Sequence, residues 1–287
     1  MPPAELQPLR ELELLSPWFD ASSPTQIHRP AVQGLRRWLL LLAPPRTGSF
    51  HLCRLLWHLG YGRPTEYLNP NPLYRSILAR WGRIGSPAWI TTMVAERSAC
   101  SVFSGAPFFS FKLQAHQQRG SLQRLLRHRF APPHQSLGLQ AGPPRIVQLR
   151  RRSSSAAIAS LHFSRCTGAF DLGLVTTHQG LPIGQLLDPA AITGTIAEYH
   201  SHLRWLEQAA RQLPPALTLD LEDLVADQAG CLRRLVLALE PQAAPEPDDP
   251  RLAVRLLRDP SPFEAERRRW LERISEEVRR QTDGADR

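Results

Sequence analysis

Lysine is almost missing from this chain. Among 287 residues and 35 basic side chains, Lys112 is the one lysine and the rest are arginine. With 27 prolines and abundant Ala and Leu, this bias reads first as drift in coding composition. It makes the surviving Lys112 worth noting, although a single residue can also survive by chance. Cysteine is scarce too. Cys53, Cys100, Cys166 and Cys231 stand far apart with no CxxC and no metal-ligand spacing, which excludes a disulfide scaffold and reads as four independent thiols in a reducing compartment. The longest apolar run, Trp38 to Ala43, is far too short to span a bilayer. The opening MPPAELQPLRELELL lacks the basic-then-apolar order of a signal peptide, so a cytoplasmic protein without a transmembrane segment is expected. No finger, no RNP-like aromatic set and no basic repeat accompanies the net charge of +9. The excess charge therefore favours anionic ligands without pointing to nucleic acid. The histidines form no ligand set, and no metal is expected.

What is present is a chain able to bury a core, with 42% apolar and 21% charged residues. Residues 1–36 read as an N-terminal extension. From Leu35 the pattern changes: LRRWLLLLA is a buried-strand candidate closed by Pro44 and Pro45. SFHLCRLLWHLG then places Leu52, Leu55, Leu56 and Leu59 on one helical face, stopped by Gly60 and Gly62. Residues 63–80 read as loop and short helix, and 88–95 as helix or strand. Further strands are expected near Phe108 to Leu113, at 146–150 and in ALTLDLEDL, the last ending in an acidic turn. Helices are expected in SLQRLLRHRF, in SSSAAIASLHFSR, over 191–212 and over 229–239. The charged terminal helix FEAERRRWLERISEEVRRQ packs on the surface or at an interface, which leaves a homodimer open. Alternating strands and helices predict an α/β fold, a mainly parallel central sheet flanked by helices. The expected domain covers 37–275, with a polar tail over 276–287.

Two segments suit anions. Ala43-Pro44-Pro45-Arg46-Thr47-Gly48-Ser49 joins an apolar strand to an amphipathic helix, where free first-turn N–H groups and the helix dipole stabilise negative charge. Gly48 lets backbone approach a phosphate, Ser49 offers a hydroxyl and Arg46 a forked cation. The lysine and full glycine spacing of an ATP or GTP loop are missing, which disfavours a kinase; an ordinary turn with a serine cap gives the same letters. The second segment is Arg150-Arg151-Arg152 followed by serines and, nearly two turns into a helix, Ser160. Arginines at a strand's C-terminal end face the crevice where open sheets bind ligands, or else face solvent. Together the two segments suggest a ligand with separated anionic groups.

APPRTGSFHLCRLLWHLGYGRPTEYL resembles the opening of the bacterial trehalose 2-sulfotransferase family, part of the broader group that uses 3′-phosphoadenosine 5′-phosphosulfate. SFKLQ, VQLRRRSSSAAIASLHFSRCTGAF and LDLEDLVAD resemble later segments of that family in the same order. The resemblance covers roughly residues 37–275. It implies a P-loop NTPase-like sulfotransferase fold. It also implies a 5′-phosphosulfate loop at Arg46, Thr47, Gly48 and Ser49, a 3′-phosphate held by Arg152 and Ser160, and a general base at Glu66. Lys112 would assist if its strand ends in the same crevice. Ser153 stands where the family often has Asp, Ala157 where it often has Gln, and Phe170 where Trp is usual. The implied reaction is sulfuryl transfer from this donor to a hydroxyl of a carbohydrate or glycolipid. A nucleotide or phosphate binder of the same fold without transfer activity is the alternative.

Overall fold

Arg37–Leu42 (β1) is apolar on both faces because it lies in the middle of a sheet covered on both sides; Leu39, Leu40, Leu41 and Leu42 are fully buried. The computed structural model describes residues 37–67, 86–114, 144–167, 186–254 and 264–285, with isolated positions between 69 and 84. The expected extension over 1–36, the basic stretch 121–130 and Phe170 lie outside the described residues. After β1 come α1 (Ser49–His58), α2 (Pro87–Arg97), β2 (Ala99–Cys100), β3 (Pro107–Leu113), β4 (Arg145–Arg150) and α3 (Ser154–Thr167). They are followed by α4 (Pro189–Gln212), β5 (Leu217–Asp220), α5 (Leu221–Ala226), α6 (Gln228–Leu239) and α7 (Glu264–Ala285). The five-stranded sheet has the order β2-β3-β1-β4-β5, parallel throughout except for the short antiparallel β2. The result is a mostly parallel α/β fold.

Alternate residues of β1 feed two cores. Leu39 and Leu41 pack with α1, α5 and α6; Leu40 and Leu42 pack with α2 and α4 through Trp89, Met93 and Leu206. A third cluster joins α3, α4 and α7 through Ile158, Tyr199, Ile274 and Val278. Within that cluster α7 runs unbroken from Glu264 to Ala285, with Ile274 and Val278 on one face and both buried.

Local chemistry settles two ambiguous places. The stretch 88–95 is helical despite its β-branched residues, because Ser86 accepts from Trp89 N (3.2 Å) and Pro87 occupies the first turn. The acidic turn expected after the last strand is a short helix, α5, with Asp220 at its N-cap. At the end of α1, Gly60 (φ 77°) lets Tyr61 N bond Leu56 O and its own N bond Trp57 O, so the chain leaves the helix in a left-handed cap.

Among the described residues no helix is long and apolar enough to cross a membrane, and the four cysteines are free thiols.

Candidate functional site

Because β1, β3, β4 and β5 are parallel, the loops that follow them emerge along one edge of the sheet, where open α/β sheets bind ligands. Four sequence segments therefore meet there: 43–48, Lys112 to Gln114, Arg150 to Arg152, and Asp220 to Asp223.

The β1–α1 loop is tightly built. Pro44, Pro45 and Thr47 are buried, and Thr47 Oγ1 donates to Pro44 O at 2.9 Å. Arg46 has φ 63°, the only non-glycine positive φ among the described residues, a conformation that costs energy and persists only where surroundings enforce it. Gly48 (φ 71°) is the N-cap of α1 and supplies no side-chain cap, which leaves first-turn N–H groups directed outward; Ser49 is buried behind it. The serine-cap reading of this turn thus gives way to a glycine N-cap. A Cβ at Gly48 would stand 2.5 Å from Leu221 Cδ1, so the absent side chain makes room for α5.

The structure brings Arg46 and Ser160 together: Arg46 Nε donates to Ser160 Oγ at 3.0 Å. The three arginines at the end of β4, Arg150 to Arg152, take three directions. Exposed Arg150 donates to Gln148 Oε1 (3.1 Å) and lines a cavity of about 320 Å³ between β4 and α4, with Pro44, Glu207 and Arg211. Half-buried Arg151 donates to the carbonyl of Arg46 at 3.1 Å. Burial holds this guanidinium below its ordinary pKa, Glu222 and Tyr199 oppose the shift, and Arg267 of α7 adds to it as a second cation.

Arg152, expected beside Ser160, is exposed and paired with Asp220 (3.3 Å) and Asp223 (2.5 Å), while its backbone N–H bonds Glu222 (3.1 Å). The cause is sheet order. β5 lies next to β4 with Arg150 opposite Asp220, so the acidic start of α5 faces the arginine run.

Glu66 and Lys112 form a buried pair. Lys112 Nζ lies 2.6 Å from Glu66 Oε1, and their side chains are 1% and 6% exposed. Gln114 donates to Oε1 (2.8 Å) and Asn69 to Oε2 (2.7 Å). The 59–67 loop reaches this place by running along β3, where Lys112 N bonds Thr65 O at 3.0 Å. The ammonium also lies 3.9 Å from the centroid of the Phe50 ring, which puts the pair beside the first turn of α1. A compact ammonium fits this enclosed space where a planar guanidinium has a bulkier fork to accommodate, a physical reason for lysine in an arginine-rich chain. Nearby Cys53 is a protonated thiol: burial pushes its pKa from 9.0 to about 12, with Lys112 opposing and Glu66 adding to the shift.

Sequence reasoning placed Arg151 in the arginine run without giving it a role, and missed Gln114 and Asn69 as site residues. The available signals were weak: Gln114 follows Lys112 by two just past the end of β3, and Asn69 follows Glu66 by three. Among the described residues no group of His, Cys, Asp or Glu side chains is arranged to hold a metal ion. No family model matches this chain, and no curated protein matches it in sequence.

Proposed function

We propose that the protein is a sulfotransferase of P-loop-like fold, carrying a sulfuryl group from 3′-phosphoadenosine 5′-phosphosulfate to a hydroxyl of a carbohydrate or glycolipid. One observation carries the reading. Arg46 and Ser160, the residues that the resemblance assigns to opposite phosphate ends of the donor, are 114 positions apart and joined by a 3.0 Å hydrogen bond at the ligand-binding edge of the sheet. The residues present fit a doubly anionic nucleotide: a helix start without a side-chain cap, two guanidinium groups at one loop, and a hydroxyl.

When bound, the donor supplies a sulfuryl group activated by its phosphate leaving group. The chain contributes position and charge. Arg46 and the first-turn amides of α1 balance negative charge growing on the leaving phosphate oxygen. Glu66 accepts the proton of the acceptor hydroxyl as that oxygen bonds to sulfur. Lys112, Gln114 and Asn69 fix the carboxylate, so its orientation is set before the acceptor arrives.

Calorimetry with adenosine 3′,5′-bisphosphate, followed by transfer of labelled sulfate to a pool of sugars and glycolipids, tests this reading. The parent chain binds the nucleotide and labels an acceptor. Glu66→Gln lowers the single-turnover rate at least about 100-fold while nucleotide affinity stays within about threefold. A nucleotide binder without transfer activity is the second reading, favoured by the three side chains already holding Glu66. Binding with no transfer across the pool selects it, and no binding removes both.

A further inference from the structure

We propose that Arg151, not Arg152, works with Ser160 to bind the 3′-phosphate of the donor, while Arg46 keeps its place at the leaving phosphate; this rests on the sulfotransferase reading above. The three arginines at the end of β4 are equivalent in sequence, and their surroundings separate them. Arg152 is 57% exposed and already shared between Asp220 and Asp223, with Glu222 on its backbone N–H. A phosphate at its guanidinium would stand against three carboxylates and would have to displace two existing ion pairs. Like charges at such distances disfavour the complex.

Arg151 offers the opposite environment. Its Nη1 reaches the carbonyl of Arg46, whose own Nε holds Ser160 Oγ, so two guanidinium groups and one hydroxyl surround the same loop. It is partly withdrawn from water, Arg267 acts on it as a further cation, and among the described residues Glu222 is the one carboxylate acting on it. An anion placed here gains charge-assisted bonds from cations that are already partly desolvated. Arg46 is held in a left-handed conformation at the same point, so the loop presents its side chain and its carbonyl together. Arg152 becomes the tie between the β4 end and the α5 start.

The test is calorimetry of the full chain against adenosine 3′,5′-bisphosphate and adenosine 5′-monophosphate, with parent, Arg151→Gln, Arg151→Lys and Arg152→Gln. Arg151→Gln weakens the bisphosphate at least about tenfold and the monophosphate less than about threefold, with Arg151→Lys between it and the parent. Arg152→Gln changes both by less than about threefold. A purely structural Arg151 would instead weaken both nucleotides alike and lower the melting temperature. If Arg151→Gln does not fold, Arg152→Gln decides, since its exposed side chain can be changed without disturbing the core. A tenfold loss of the bisphosphate in Arg152→Gln, or equal losses of both ligands in Arg151→Gln, overturns the assignment while leaving the nucleotide reading intact. A parent that binds neither ligand overturns both.

Discussion

Glu66 and Glu240 are both buried, at opposite edges of the sheet, and they are held by different chemistry. Glu66, beside the ends of β1 and β3, is paired with the ammonium of Lys112 inside the protein and accepts from two amides. Glu240, at the end of α6, accepts from the hydroxyls of Tyr61 (2.8 Å), Ser101 and Ser104. Its one cation among the described residues, Arg37, stands 3.6 Å away with a side chain 41% exposed. The hydroxyl-bound carboxylate clasps the helix exit at Gly60, the β2–β3 turn and α6 together, a structural task that neutral donors accomplish. The ion-paired carboxylate places two opposite charges beside the β1–α1 loop, at a desolvation cost that tight geometry only partly offsets. At the candidate site both carboxylate and cation are buried, whereas the cation beside Glu240 stays near water.

Removing the cations is the strongest way to break this contrast. Lys112→Met leaves Glu66 buried without its counter-charge and lowers stability by about 3–5 kcal/mol. Arg37→Met removes a cation that lies partly in water and leaves three hydroxyls holding the carboxylate, so it costs less than about 1 kcal/mol. Chemical denaturation of both variants reads the difference, and adding Glu66→Gln to Lys112→Met recovers most of the loss. Similar costs at 112 and 37 would mean that the two carboxylates are held alike.

The glycines beside each cluster sharpen it. A Cβ at Gly60 would meet the backbone oxygen of Cys100 at 1.9 Å, while at Gly48 it would meet the end of the Leu221 side chain at 2.5 Å. Both have positive φ, so alanine strains either by about 1–3 kcal/mol. Gly60→Ala costs more, because a backbone carbonyl cannot rotate away as a leucine terminus can. Thermal and denaturant unfolding of the pair gives the order; Gly48→Ala as the more damaging change would show that α5 cannot yield.

The last contrast is in alkaline titration and leaves neutral pH untouched. Cys53 near Glu66 is raised from 9.0 to about 12, chiefly by burial, and Tyr61 is raised above its ordinary value of 10.0 by burial and then by Glu240. In each case the folded state keeps a proton that the unfolded chain has released, so stability falls as pH rises. The Cys53 contribution is intact below about pH 9 and lost between there and about pH 12; the Tyr61 contribution starts to fall near pH 10. Denaturant midpoints across this range should show Cys53→Ala without the earlier decline and Tyr61→Phe without the later one. Unchanged slopes would mean that neither group titrates with folding.

Much of the architecture was legible where one segment carries its own signal. The run Trp38–Leu42 could be nothing but buried, and Leu52, Leu55 and Leu56 marked α1 by spacing. Segment 88–95 was ambiguous because β-branched residues and a capped helix start compete there, and the Ser86–Pro87 pair prevails. The lone lysine stood out by composition, but nothing local pointed to Gln114 or Asn69 as fellow partners of Glu66, since single amides carry no periodicity.

By itself the sequence determined the strand-turn-helix start, the alternation that makes a parallel sheet, and the candidacy of Arg46, Glu66, Lys112 and Ser160. The first two follow from periodicity and turn chemistry and Arg46 and Lys112 from residue type, which act over a few neighbours, whereas Glu66 and Ser160 became candidates through the resemblance to the sulfotransferase family. Only the tertiary structure decided which arginine turns to the loop and which to the acids. That choice depends on β5 lying beside β4 and on Asp220 arriving opposite Arg150, 70 positions along the chain. Side chains adjacent in sequence diverge because the charges they answer to come from distant segments, and sheet order alone brings those segments together.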